Sequence, residues 1–371
     1  MRNRKKITTL LFLLLLLTII AIGEFIIYET FHTIGLLYGM YLKIFIAKLI
    51  ILPLLFLITA YLGFNKFSKI GSFIYIITAL FIGLVMYLVA GTLFLTILIL
   101  INSFVAPLPL QLIGMIILIV LILLTLYGFI NASNPRIVKW STKSEALKDL
   151  WKDKKIILIS DTHFGQIRRE KFARKIVNII NKENPDIVFH VGDLIDGPSI
   201  PYEKTFAPLM DLNPPLGTLY VEGNHERYSQ EYDKFRTYFP KCFTDMTDRK
   251  IIVNNTQIIG LSYRMNETHE ETRERLKALG YDENIPSIVL LHDPKNSRAL
   301  TDINVSMVLS GHTHGGQFFP ITMIVRRIYK ALAHGVSYEN NTASVTTYGV
   351  GTAMMPMRVG TIPEIVILQI V

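Results

Sequence analysis

Four apolar stretches, at about 7–28, 41–63, 72–101 and 109–131, constrain this chain more than any other feature in it. Each is near or above the ~20 residues a helix needs to cross the hydrocarbon of a bilayer. In lipid a segment has to satisfy its own backbone N–H and C=O groups, so such stretches read as helices. Residues 1–135 are therefore expected to form an all-α transmembrane bundle of about four spans. MRNRKK precedes the first stretch as the charged region of a signal peptide would. No small-residue cleavage pattern follows, and the apolar core is too long, so the stretch reads as an uncleaved helix.

Positive charge sets the expected orientation. MRNRKK, Lys66 with Lys69, and Arg136, Lys139, Lys143 and Lys148 fall in alternate loops, while the loop at 102–108 is uncharged. Four spans place every basic loop, and the rest of the chain, in the cytoplasm. Lys43 and Lys48 at the outer end of the second span, and the length of the third stretch, pull toward five spans and an external second domain. Those lysines read as snorkelling side chains. Glu24 is the lone acid within a span and reads as lying near the outer interface.

The net charge of +9, from 38 basic and 29 acidic residues, would suit a nucleic-acid binder if it covered a folded surface. Eight of the basic residues and two of the acids precede residue 136, so +6 belongs to the apolar part and +3 to the remainder. The excess reports topology, and no nucleic-acid partner is expected. The single cysteine, Cys242, has no partner for an intrachain disulfide and mildly favours a reducing compartment.

From Pro135 onward short β-branched runs alternate with amphipathic ones, the pattern of an α/β domain over 136–371. Residues 155–160, 187–191, 218–221, 258–261, 287–291 and 306–309 read as buried strands. Residues 365–370 read as a last strand that closes the sheet. Residues 167–181 carry Phe172, Ile176, Ile179 and Ile180 on a helical period. Thr268–Leu279 is charged and helical, and is read as lying in a cap insertion.

Five of these strands end in residues that bind metals. The ends read Asp161-Thr-His163, Gly192-Asp193 with Asp196, Gly223-Asn224-His225-Glu226, His292, and Gly311-His312-Thr-His314. Successive separations of 32, 31, 68 and 20 residues each leave room for a crossover and a return strand. In open α/β sheets the carboxyl ends of strands are where sites form. Taken singly, each cluster has a blander reading: Gly-Asp and Gly-Asn are turn signals, and an aspartate after a strand is a helix cap. Five in order, each at a strand end, are hard to obtain that way.

Carboxylate, carboxamide and imidazole together suit Mn, Fe, Co or Zn, and without thiolates a structural Cys-type zinc site is not expected. Seven such ligands are too many for one ion and fit two that share a carboxylate. Two ions roughly 3.5–4 Å apart can hold a bridging hydroxide and clamp a phosphoryl group for in-line attack.

This order of motifs resembles the calcineurin-like metallophosphoesterase superfamily over about 150–371. The sequence GHTHGGQ, with Arg358 and Pro363-Glu364 late in the chain, is most similar to its membrane-associated YkuE/YaeI-like phosphodiesterase branch. Some members of that branch act on lipid-linked substrates such as UDP-diacylglucosamine. The resemblance implies a four-layer α-β-β-α sandwich. It implies one divalent ion (Mn, Fe, Zn or Co) on Asp161, His163, Asp193 and His314, and a second on Asp193, Asn224, His292 and His312. His225 would face the substrate as proton donor or charge stabiliser, Asp196 would orient it, and Glu226 would support the site from behind. Gly197 stands where several members carry a phosphate-binding arginine, so the substrate is expected to be anchored elsewhere.

The resulting expectation is a membrane-anchored, two-metal phosphodiesterase whose partners are the lipid bilayer and a phosphoester, with lipid-linked esters among the candidates. Residues 318–332 mix large apolar side chains with Arg326, Arg327 and Lys330, as interfacial helices do. They are read as a lid for acyl chains. A tethered enzyme for soluble substrates and a metal-binding scaffold without turnover are the alternatives. Oligomeric state is left open.

Overall fold

The computed structural model of the chain describes residues 2–37, 39–65, 68–104, 107–196, 200–229 and 231–371. It divides into two compact units, one made of Met1–Leu62 and Ser68–Phe129, the other of Gly63–Phe67 and Ile130–Val371.

The first unit is built from helices α1 (Arg2–Thr33), α2 (Gly39–Asn65), α3 (Lys69–Asn102) and α4 (Leu110–Ala132), the last of which runs on into the second unit. Among the described residues three helices are long and apolar enough to cross a membrane: Lys43–Gly63 within α2, Lys69–Asn102 and Leu110–Ala132. The expected span at 7–28 falls in α1, where the side chains of residues 2–17 lie outside the described ones. The long third stretch is one unbroken helix of 34 residues, about 50 Å of rise. Ile27 and Phe31 of α1 pack with Val85, Leu88 and Leu95 of α3.

Among the described residues the second unit contains twelve strands: β1 (Arg136–Thr142), β2 (Ile156–Ile159), β3 (Ile187–Val191), β4 (Thr218–Val221), β5 (Phe243–Asp245), β6 (Arg249–Val253), β7 (Thr256–Leu261), β8 (Ser287–Leu291), β9 (Met307–Ser310), β10 (Gly335–Glu339), β11 (Thr342–Thr346) and β12 (Glu364–Ile370). Its helices are α5 (Lys148–Trp151), α6 (Glu170–Lys182), α7 (Tyr202–Phe206), α8 (Asn224–Tyr228), α9 (Tyr232–Thr237), α10 (His269–Ala278), α11 (Arg298–Thr301) and α12 (Ile321–Tyr329).

The strands form two six-stranded sheets, ordered β1-β12-β2-β3-β4-β5 and β10-β11-β9-β8-β7-β6. Within them β2-β3-β4-β5 and β7-β8-β9-β11 run parallel. Period-two alternation explains the layering. Ile156 and Leu158 of β2 join Ile288 and Leu290 of β8 and Leu309 of β9 in one core between the sheets. Ile157 and Ile159 point the other way, onto Ala173, Ile176, Val177 and Ile180 of α6. On the far side Val289 and Leu291 of β8 meet Leu276 of α10 and Leu300 of α11. The result is the four-layer α-β-β-α sandwich.

Two details differ from the sequence reading. α10 is a layer helix rather than part of a cap insertion: its capping box, Thr268 with Glu271, starts it on the outer face of the second sheet, where Leu276 is buried. β12 does not close its sheet. It lies between β2 and an edge strand, β1, with which it pairs in parallel over seven residues. β1 escapes a sequence reading because RIVKWST is half polar, as an edge strand can be.

Candidate metal centre

Five parallel strands bring the candidate residues to one end of the sandwich. Asp161 and His163 follow β2, Asp193 and Asp196 follow β3, Asn224 and His225 open α8 after β4, His292 follows β8, and His312 and His314 follow β9. The first three strands belong to one sheet and the last two to the other, so the cluster straddles both carboxyl edges.

The backbone turns sharply to do this. Asp161, His163, Asp193, His312 and His314 all have φ between 47° and 69°, a region that non-glycine residues rarely occupy and that gathers at functional sites. Gly192 combines a φ of 96° with a close approach: a Cβ there would lie 2.4 Å from His292 Nδ1. A Cβ on Gly223 would lie 2.2 Å from Asp193 Oδ1. Neither position has room for a side chain.

Three overlapping groups result, each with ligand atoms within 4.8 Å of one another: Asp161, His163 and His314; His163, Asp193 and His225; Asp193, His292 and His312. His314 Nε2 lies 3.4 Å from Asp161 Oδ1 and 3.0 Å from His163 Nε2. His292 Nε2 lies 3.1 Å from Asp193 Oδ2 and 3.3 Å from His312 Nδ1. His225 is held by its backbone N–H on Asp193 Oδ1 at 2.9 Å, with Nδ1 facing Asp196 Oδ1 at 3.5 Å. Its ring stands edge-on to that of His163. Asp196 also approaches His163 Nδ1, at 3.1 Å. Gly197 lies outside the described residues.

The electrostatics suit cations. Burial alone would push the imidazoles toward neutrality, yet Asp161 and Asp196 raise His163 to about 10, and Asp193 raises His292 to about 10. Burial opposes ionisation of Asp193 too, but His292 and His225 hold it well below the usual carboxylate range. Protons on the imidazoles thus offset buried carboxylates that divalent ions would otherwise neutralise. Asp161 Oδ1 and Asn224 Oδ1 are buried acceptors with no hydrogen-bond donor, the state expected of atoms meant for a metal. The residues therefore fit a pair of ions.

Three supporting residues were faint or invisible in the sequence. Glu226, fully buried, accepts from the N–H groups of Asp193, Ile195 and Gly223 at 3.1, 2.9 and 2.7 Å. Arg358, also fully buried, donates to the carbonyls of Tyr348, Gly349 and Gly351 and places Nη2 3.2 Å from His314 Nδ1. Burial, with His163 and Arg358 nearby, holds His314 well below its ordinary value and so neutral. Tyr329 at the end of α12 sets its ring 6.5 Å from that of His312. The sequence pointed to Glu226, two residues past Asn224, and to Arg358 as part of the late motif, but gave the contacts of neither and did not single out Tyr329.

The chain is similar to known proteins. Residues 154–316 match the calcineurin-like phosphoesterase family. A metallophosphoesterase of Campylobacter jejuni is 32% identical over 267 residues, 68% of this chain and 68% of that protein. The metallophosphoesterase YkuE of Bacillus subtilis is 26% identical over 66% of this chain and 89% of its own length. A transmembrane protein with metallophosphoesterase domain from Danio rerio is 29% identical over 67% of this chain, which spans 60% of that relative's length. From the strand-end ligands and these likenesses together, the chain belongs to the calcineurin-like metallophosphoesterase family.

Proposed function

We propose that this chain is a membrane-anchored, two-metal phosphodiesterase, with residues 1–135 as anchor and 136–371 as catalytic domain on the cytoplasmic face. The observation that carries the reading is the sharing of Asp193 between the His163 and the His292–His312 groups. Asp161, His163, Asp193 and His314 would hold one divalent ion, and Asp193, Asn224, His292 and His312 the other. Bound there, such ions supply an activated water and polarise the phosphoryl oxygens.

The chain's own residues do the rest. His225 is pinned through its N–H to Asp193, and Asp196 engages its Nδ1. That leaves Nε2 to pass a proton to the departing oxygen. Glu226 fixes the turn that carries Asp193. Bilayer-length helices in the same chain favour a substrate met at a membrane, a lipid-linked phosphodiester.

The test is hydrolysis of an aryl phosphodiester and an aryl monoester by full-length protein in detergent, stripped of metal and resupplied with Mn²⁺. The expected result is diester turnover that needs metal and falls at least ~10³-fold in Asp193→Asn. Metal binding without turnover on either ester would leave a scaffold or sensor. Faster monoester turnover would make it a phosphatase.

A further inference from the structure

The exposed face of α12 is unlike the rest of the second unit. Phe319, Met323, Ile324 and Ile328 are 52%, 62%, 53% and 57% exposed. Arg326, Arg327 and Lys330 are exposed on the same half of the segment. No acidic residue occurs between Asp302 and Glu339. The opposite side is anchored: Thr322 is buried, and Tyr329 reaches the edge of His312. Large apolar side chains interleaved with unopposed cations are the surface of a helix lying in a headgroup layer.

What lies beside this face identifies its occupant. The last residues of α4, a helix of bilayer-crossing length, belong to the second unit. There Asn131 donates to the carbonyls of Arg358 and Thr361, both at 3.0 Å, and Arg168 donates to the carbonyl of Ala132 at 2.7 Å. The same 358–361 loop is hydrogen-bonded to the residues just before α12. The Val359 N–H donates to Gln317 O at 3.0 Å, Thr361 Oγ1 to Gln317 O at 2.8 Å, and the Phe319 N–H to Val359 O at 3.0 Å. One loop therefore joins the exit of a membrane helix to the start of α12.

We infer that α12 docks on an anionic bilayer surface, seating the rim of the metal centre at the headgroups. Phe319, Met323, Ile324 and Ile328 enter the acyl boundary, and Arg326, Arg327 and Lys330 meet lipid phosphates. Tyr329 then stands between the bilayer and His312, so that a phosphodiester in the headgroup layer has a short path to the ligands. The docking rests on the membrane reading of the helices and not on the catalytic one.

The experiment uses full-length protein in nanodiscs. On a Cys242→Ser background, Ile324→Cys carries an environment-sensitive fluorophore, and nitroxide-labelled lipid is the quencher. Glu283→Cys, exposed at the opposite end of β8 from His292, is the control. The expected result is strong quenching at 324 in phosphatidylglycerol-containing discs and little at 283. Reversing Arg326, Arg327 and Lys330 to glutamate should lower quenching at 324 by ~2-fold or more. Equal quenching at the two sites would overturn the docking. So would a 324 label shielded from lipid nitroxide and aqueous iodide alike, since protein would then cover the face. A chain that does not incorporate into discs would overturn it by removing the membrane reading. None of these readouts depends on turnover.

Discussion

The threonines of the helical unit and the histidines of the sheet unit find their partners over very different distances along the chain. In the helical unit several threonine hydroxyls are settled within one turn: Thr30, Thr59, Thr78 and Thr125 each donate to the carbonyl four residues back. In the sheet unit the polar groups that matter find partners far along the chain. His163 meets His314 across 151 residues, and His292 meets the Val191 carbonyl across 101. Local satisfaction makes a segment safe in any surroundings, which is what a bilayer demands. Long-range satisfaction leaves buried charge dependent on the whole fold being right, and that dependence is what assembles a metal centre.

Substitutions should sort by this difference. The largest effect is expected from Gly223→Ala, whose Cβ would press on Asp193 Oδ1 and on the Asp193 nitrogen, 2.6 Å away. Displacing the shared carboxylate should cut bound metal and metal-dependent turnover by ~100-fold, read by elemental analysis beside the diester assay. The far-ultraviolet helical signal should persist. Glu226→Gln should come next. An amide offers one acceptor where the carboxylate serves three N–H groups, so metal affinity should fall ~10-fold and stability by about 1–3 kcal/mol, followed by metal titration and thermal unfolding. The smallest effect belongs to Thr78→Val in α3, where the hydroxyl serves only its own helix. Thermal unfolding in detergent should shift by no more than ~1 kcal/mol, with turnover unchanged. A Thr78→Val variant as damaging as Glu226→Gln would break the comparison.

How legible each part was follows from the range of its interactions. β2, β3, β4, β8 and β9 were readable because both of their faces are buried, leaving continuous apolar runs with glycine or a charged residue at the end. The candidate ligands were readable because five of the nine histidines, with Asp161, Asp193 and Asn224, recur in order at strand ends. β1, β10 and β11 were not, since β1 and β10 are half polar edge strands and β11 is a short run of threonine, serine and small apolar residues. The 318–332 segment could be read as amphipathic, but not which of its faces is free.

The sequence by itself determined the long apolar helices, the buried run that becomes β2, and which strand ends carry candidate metal-binding side chains. These depend on periodicity and on the chemistry of single residues. Only the tertiary structure decided which ligands share a group, that Arg358 stands behind His314, and that one loop ties the end of α4 to α12. Those are contacts between strand ends and loops, up to some 230 residues apart. No local pattern encodes them, because the order of strands within a sheet is set by how whole layers pack.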